Sequence, residues 1–98
     1  MEIKNDFKVA GGKLLRIAGS EAANKISRIA ITGDFFMFPE TGIEKIEQGL
    51  FGCEIDKEVI VEKTAEILRD NDIRVQGFTP EDLADAIIGG IQSEAASS

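Results

Sequence analysis

Between Glu2 and Val9 the side chains alternate, with Ile3, Asn5, Phe7 and Val9 on one side and Glu2, Lys4, Asp6 and Lys8 on the other. That is the period of a strand with one buried face. Ala10-Gly11-Gly12 supplies two residues free to take positive φ, and the chain resumes as Lys13-Leu14-Leu15-Arg16-Ile17-Ala18, so the pattern predicts a hairpin. Gly19-Ser20 to Asn24 reads as the next break. Lys25 to Thr32 reads as a third strand, with Ile29 and Ile31 pointing one way and Arg28, Ala30 and Thr32 the other. Consecutive strands joined by short loops form an antiparallel meander. Its outer face should show Lys4, Lys8, Arg16 and Arg28 among Leu14, Ala18, Ala30 and Thr32.

Past Gly33 the apolar spacing turns helical. The run Gly33-Asp34-Phe35-Phe36-Met37-Phe38-Pro39 ends the sheet and leads into helices. Thr41 with Glu44 three residues on fits a capping box, and Ile43, Ile46, Leu50 and Phe51 then recur at helical spacing, predicting a helix over Gly42 to Phe51 stopped by Gly52. Asp56 can cap a second helix with the stripe Val59, Ile60, Thr64, Ile67 and Leu68, ending near Asn71. Ile73 to Phe78 fits either a short strand or an extended connection. Thr79-Pro80-Glu81-Asp82 is a strong helix start, with a cap, a proline at the first position and acids near the positive end of the dipole. Leu83, Ile87 and Ile91 form its buried stripe, Gly89-Gly90 weakens it, and Ser93 to Ser98 should fray. The reading is one α+β domain over residues 1–98, a three-stranded meander with about three helices on one face.

Charge adds a polarity to that domain. The chain carries 18 acidic and 11 basic side chains, a formal charge of −7, and residues 1–32 hold six of the bases and three of the acids. The strand half is therefore basic and the helical half acidic, so two differently charged faces are expected. Such an acidic chain without aromatic-basic interleaving is a poor nucleic-acid partner. No apolar run approaches the roughly 20 residues of a membrane span, and the first ten residues lack the apolar block of a signal peptide, so the expected setting is the cytoplasm. Histidine is absent and Cys53 is the single cysteine. Histidine-based nucleophilic catalysis, an intrachain disulfide and multi-cysteine metal sites are thereby excluded, and a self-sufficient enzyme is disfavoured, with no catalytic or metal-binding residue assigned.

Three places could still carry chemistry. Gly11-Gly12-Lys13 lacks the spacing of a P-loop and its lysine opens a strand, so it is hairpin chemistry, with Lys13 left available to an anion on another molecule. Gly33-Asp34-Phe35-Phe36 sets a carboxylate and two large aromatics where the sheet hands over to the helices. Adjacent side chains in extended backbone point opposite ways, so one of Phe35 and Phe36 should be exposed or should cover a partner. Cys53 precedes Glu54, Asp56 and Glu58, carboxylates that disfavour the thiolate, so it reads as an inert small hydrophobe.

The ordered set Gly11-Gly12-Lys13-Leu14-Leu15-Arg16, Ile29-Ala30-Ile31-Thr32-Gly33-Asp34-Phe35-Phe36, Pro39 and Ile43 through Gly52 resembles the C-terminal accessory domain of lipoate-protein ligases, over about residues 4 to 70. The resemblance implies the stand-alone form of that domain, a small subunit forming a heterodimer with a larger catalytic chain. The family activates lipoate with ATP to lipoyl-AMP and pyrophosphate, then transfers lipoyl to a lysine of an acceptor domain. Lipoate, ATP and magnesium are thus expected to be used by the complex, with no cofactor bound by this chain alone. Docking is expected through Gly11, Gly12, Lys13, Gly33, Asp34, Phe35 and Phe36. The family's fold is also similar to that of sulfur-acceptor and iron-sulfur scaffold proteins. That similarity keeps a sulfur acceptor using Cys53 as an alternative, beside a generic protein-interaction module.

Overall fold

The alternation read from the first segments is realised in β1 (Glu2–Lys8), β2 (Leu14–Ala22) and β3 (Lys25–Gly33), an antiparallel sheet in the order β1-β2-β3. The structure is a computed structural model describing residues 1–91, so the fraying expected at Ser93 to Ser98 lies outside the described residues. Ile17 sits between Asn5 and Ile31, and Ala18 between Lys4 and Ala30. Ile3, Leu15, Ile17, Ile29 and Ile31 are buried on the inner face. Lys4, Lys8, Arg16 and Arg28 are exposed on the other, where Arg16 Nε donates to Asp6 Oδ1 at 2.9 Å.

The second turn falls later than the glycine suggested. β2 runs through Gly19 and Ser20, and the chain reverses at Ala23-Asn24, both at positive φ (54° and 62°). Gly19 serves close approach instead of a turn, because a Cβ there would collide with the Arg28 carbonyl oxygen of β3. Beside it Ser20 pairs with Arg28 and Glu21 with Ile26, which leaves Ser27 as the extra residue of a bulge. The bulge turns Ile26 and Ile29, three residues apart, onto one buried face.

The helices α1 (Gly42–Gly49), α2 (Lys57–Asp70) and α3 (Pro80–Gly89) follow, with α1 against β3, α3 against β1 and β2, and α2 against both helices. The Thr41 capping box does not form, and α1 stops short of Phe51. Thr41 is itself helical (φ −68°, ψ −7°), and the entering amides are already satisfied by backbone, Gly42 N donating to the Pro39 carbonyl and Glu44 N to the Thr41 carbonyl. Glu47 of α1 accepts from Ile31 N at 2.8 Å, holding the helix on the outer edge of β3. Asp56 does cap α2, accepting from Val59 N at 3.2 Å. Val59 is exposed, however, because it stands about 100° around the helix from Ile60, whose side, with Thr64 and Ile67, is buried. α3 begins with a full capping box, Thr79 Oγ1 accepting from Asp82 N at 3.1 Å and Asp82 Oδ2 from Thr79 N at 2.9 Å. Its closing glycines have a use: a Cβ on Gly90 would lie 2.9 Å from Asn5 Cβ, and the Gly90 carbonyl accepts from Lys4 N at 2.7 Å.

A second, two-stranded sheet adds to the meander. β4 (Phe36–Phe38) pairs antiparallel with β5 (Arg74–Gln76), so the segment after Ile73 is a strand. Among the described residues no helix is long and apolar enough to cross a membrane. In the core, Thr64 is fully buried and its hydroxyl has no hydrogen-bond partner among the described residues. Thr64→Val removes an unpaired polar atom at nearly constant shape, so thermal denaturation should show a gain of about 1 kcal/mol. A loss of that size would show that the hydroxyl is bonded in solution.

Candidate functional site

The β1–β2 turn closes with Val9 N donating to the Lys13 carbonyl at 2.8 Å and Gly12 N to the Val9 carbonyl at 3.0 Å, while Gly11 and Gly12 take φ of 95° and 88°. That brings Lys13 to the end of the sheet where β3 finishes. There Asp34 N donates to the Leu14 carbonyl at 2.8 Å, carrying the ladder one residue beyond Gly33. A Cβ on Gly33 would collide with the Leu14 carbonyl oxygen, so glycine is required where the chain turns off the sheet at φ 144°.

Beyond this point the alternation resolves the two aromatics. Phe35 turns in, its ring 5.1 Å from that of Phe78 and nearly perpendicular at 88°. Phe36 turns out and is 66% exposed. The pairing continues Phe36–Gln76, Met37–Val75 and Phe38–Arg74, with Met37 buried and Phe38 as exposed as Phe36.

Lys13, Gly33, Asp34, Phe35 and Phe36 therefore meet, with Gln76 and Gly77, around one open cleft of about 520 Å³. Gly11 and Gly12 shape the loop beside it without lining it. Ion pairs within the described residues join Arg16 to Asp6, Lys57 to Asp85, Lys63 to Glu66, Arg69 to Asp70 and the amino terminus to Glu21, and Lys13 and Arg74 are uncommitted among those residues. One ammonium, one carboxylate, a carboxamide and two rings equip the cleft for contact and orientation. Phe38, Arg74 and Gln76 were absent from the residues expected by sequence. The alternation of Phe36, Met37 and Phe38 was visible, but the strand facing it begins 36 residues after Phe38.

Cys53 sits at the opposite end of β3, where Ile26 N donates to its carbonyl at 2.8 Å. It is half-buried, and burial is the main cause that raises its thiol pKa above the ordinary value. Lys63 opposes that shift, while Glu54 and Asp56 add to it. The direction follows the sequence, but desolvation outweighs the acidic neighbours. Alkylation should therefore be slower than for a free thiol at pH 8 and should accelerate only above the usual thiol range, because the reactive thiolate is disfavoured. Cys53→Ala should support the same activity as the parent. Rapid alkylation at pH 8 together with loss of activity in Cys53→Ala would make the thiol functional.

Residues 1–87 match the family described as bacterial lipoate protein ligase C-terminus. A relative in Thermoplasma acidophilum, lipoate-protein ligase A subunit 2, is 38% identical over 90 residues, covering 89% of this chain and 88% of its own length. Among solved structures, the structural analysis of an archaeal lipoylation system, a bi-partite lipoate protein ligase and its E2 lipoyl domain from the same organism, contains a similar chain. It superposes with a TM-score of 0.67 at 34% identity, over 89% of this chain and 94% of that one.

Proposed function

The chain belongs to the lipoate protein ligase C-terminus family, and we propose that it is the accessory subunit of a two-chain lipoate-protein ligase that docks on the catalytic subunit and enables lipoyl-AMP formation. The observation that carries this reading is the likeness to a relative named as a second ligase subunit, over nearly the whole length of both chains. In the reaction, a lipoate carboxylate oxygen attacks the α-phosphorus of ATP and pyrophosphate leaves. A lysine amine of the acceptor domain then takes the lipoyl group and AMP leaves. Among the described residues no three carboxylate or thiol side chains cluster to hold a cation. In this reading magnesium, ATP and lipoate are held by the catalytic subunit.

What this chain's residues contribute is positioning. The end of the sheet that carries Lys13, Asp34 and Phe36 would close against the catalytic subunit, exclude water and hold its loops in the competent arrangement. Gly11, Gly12, Gly33 and Phe35 would act by fixing the shape of that end. Titration calorimetry against the catalytic subunit should show a one-to-one complex. Lys13→Ala and Asp34→Ala should each weaken it by about tenfold with the fold intact by circular dichroism. Absence of any complex with the parent chain would end the accessory-subunit reading.

A further inference from the structure

We propose that the outer face of the β4–β5 ribbon, with Phe36 and Phe38 as paired anchors and Arg74 beside them, seats in an apolar socket edged by carboxylates on the catalytic subunit. The proposal rests on the accessory-subunit reading and goes beyond it by naming the contact and the chemistry of its complement.

Burying Met37 and Val75 on the inner side of the ribbon forces Phe36 and Phe38 to the same outer side, since the side-chain period of a strand is two. Each is 66% exposed. One exposed phenylalanine needs no explanation, but two at this spacing, with Arg74 and Gln76 across from them, line a single concavity of about 270 Å³. Met1 and Ile88 are also exposed, and Phe51 and Val59 line a separate hollow with Cys53, but that hollow holds a single ring, whereas the ribbon sets two rings side by side.

A ribbon of two three-residue strands is marginal by itself. Here it is locked from below: at Gly42 a Cβ would lie 2.9 Å from the Ile73 side chain and 3.1 Å from the Met37 sulfur, so the ribbon packs hard on the start of α1. The aromatics are thus presented on a fixed support, which lowers the ordering cost of binding.

Charge selects the occupant. Arg74, directly across from Phe38, has no ion-pair partner among the described residues, and Lys13 in the adjoining cleft has none either, in a chain whose formal charge is −7. Aromatics and arginine are the side chains that concentrate energy at interface centres. Their complement is an apolar hollow rimmed by carboxylates, whereas a second copy of this acidic chain would add net repulsion.

Calorimetry against the purified catalytic subunit tests this with Phe36→Ala, Phe38→Ala, Arg74→Glu and, as a comparison on the other exposed ring, Phe51→Ala. We expect each phenylalanine variant of the ribbon to weaken binding by about 30-fold or more, and Phe51→Ala to stay within about threefold. Arg74→Glu should also weaken binding and flatten its dependence on salt. Arg74 is exposed, so its variant keeps the test valid even if a phenylalanine variant misfolds. If the parent binds and folded ribbon variants bind equally well, the ribbon proposal fails while the accessory-subunit reading stands. If the parent does not bind at all, both fail. Concentration-dependent dimerisation of the parent that is lost in Phe38→Ala, with binding to the catalytic subunit unaffected, would assign the ribbon to self-association and also overturn the proposal.

Discussion

Gly33→Ala is expected to destabilise the fold by about 3 kcal/mol or more, lowering the melting temperature by about 12–24 °C for a domain of this size. Two costs add. The backbone at Gly33 holds φ at 144°, where an L side chain is strained, and the new Cβ would meet the Leu14 carbonyl oxygen, an atom of the central strand that cannot move without breaking the ladder. Gly12→Ala is the matched comparison. Its φ is 88° but nothing lies within 4 Å of the added atom, so it bears the strain alone, about 1 kcal/mol. Thermal melts followed by circular dichroism decide the matter. Equal small shifts for the two variants would mean that the turn off the sheet relaxes and that the close approach at Leu14 is not a constraint. The same loss would disable docking without any change in contact chemistry, so function tests at Gly33 need the melt beside them.

Local signals carried much of the fold. The alternation from Glu2 to Val9, the two-glycine turn, Asp56 and the Thr79-Pro80-Asp82 start all act within a few residues, and each is found where the sequence places it. The readings that went astray are those decided by distant neighbours. Gly19 is indistinguishable from a turn glycine until β3 is laid against it, and Thr41 loses its capping role because the turn from Pro39 already satisfies the helix entrance. Ile26 and Ile29 share the buried face only because the bulge at Ser27 shifts the register, which appears once β3 is paired with β2.

The same division holds at the candidate site. That one of Phe35 and Phe36 faces outward follows from adjacent positions in extended chain. Which one does so depends on Phe78 being there to receive Phe35. Phe38 and Arg74 belong together only because β4 and β5 pair, and three-residue strands leave too little pattern to show it.

In the proposed role, this chain confers adenylation on a partner and does not perform it. The cleft at the end of the sheet gathers Lys13, Asp34, Phe35 and Phe36 in an open hollow, an arrangement suited to contact with another chain. Positioning of a loop or a substrate by about 1 Å is enough to change a rate by roughly a hundredfold, so a non-catalytic subunit can govern the step. Transfer from preformed lipoyl-AMP, which no longer needs the nucleotide and lipoate to be aligned, should depend on it less. The direct measurement is lipoate-dependent pyrophosphate release by the catalytic subunit alone, by this chain alone and by the two together. The expected result is background release from each alone and an increase of about a hundredfold or more in the mixture; appreciable release by this chain alone, or a catalytic subunit that is equally fast without it, would contradict the account.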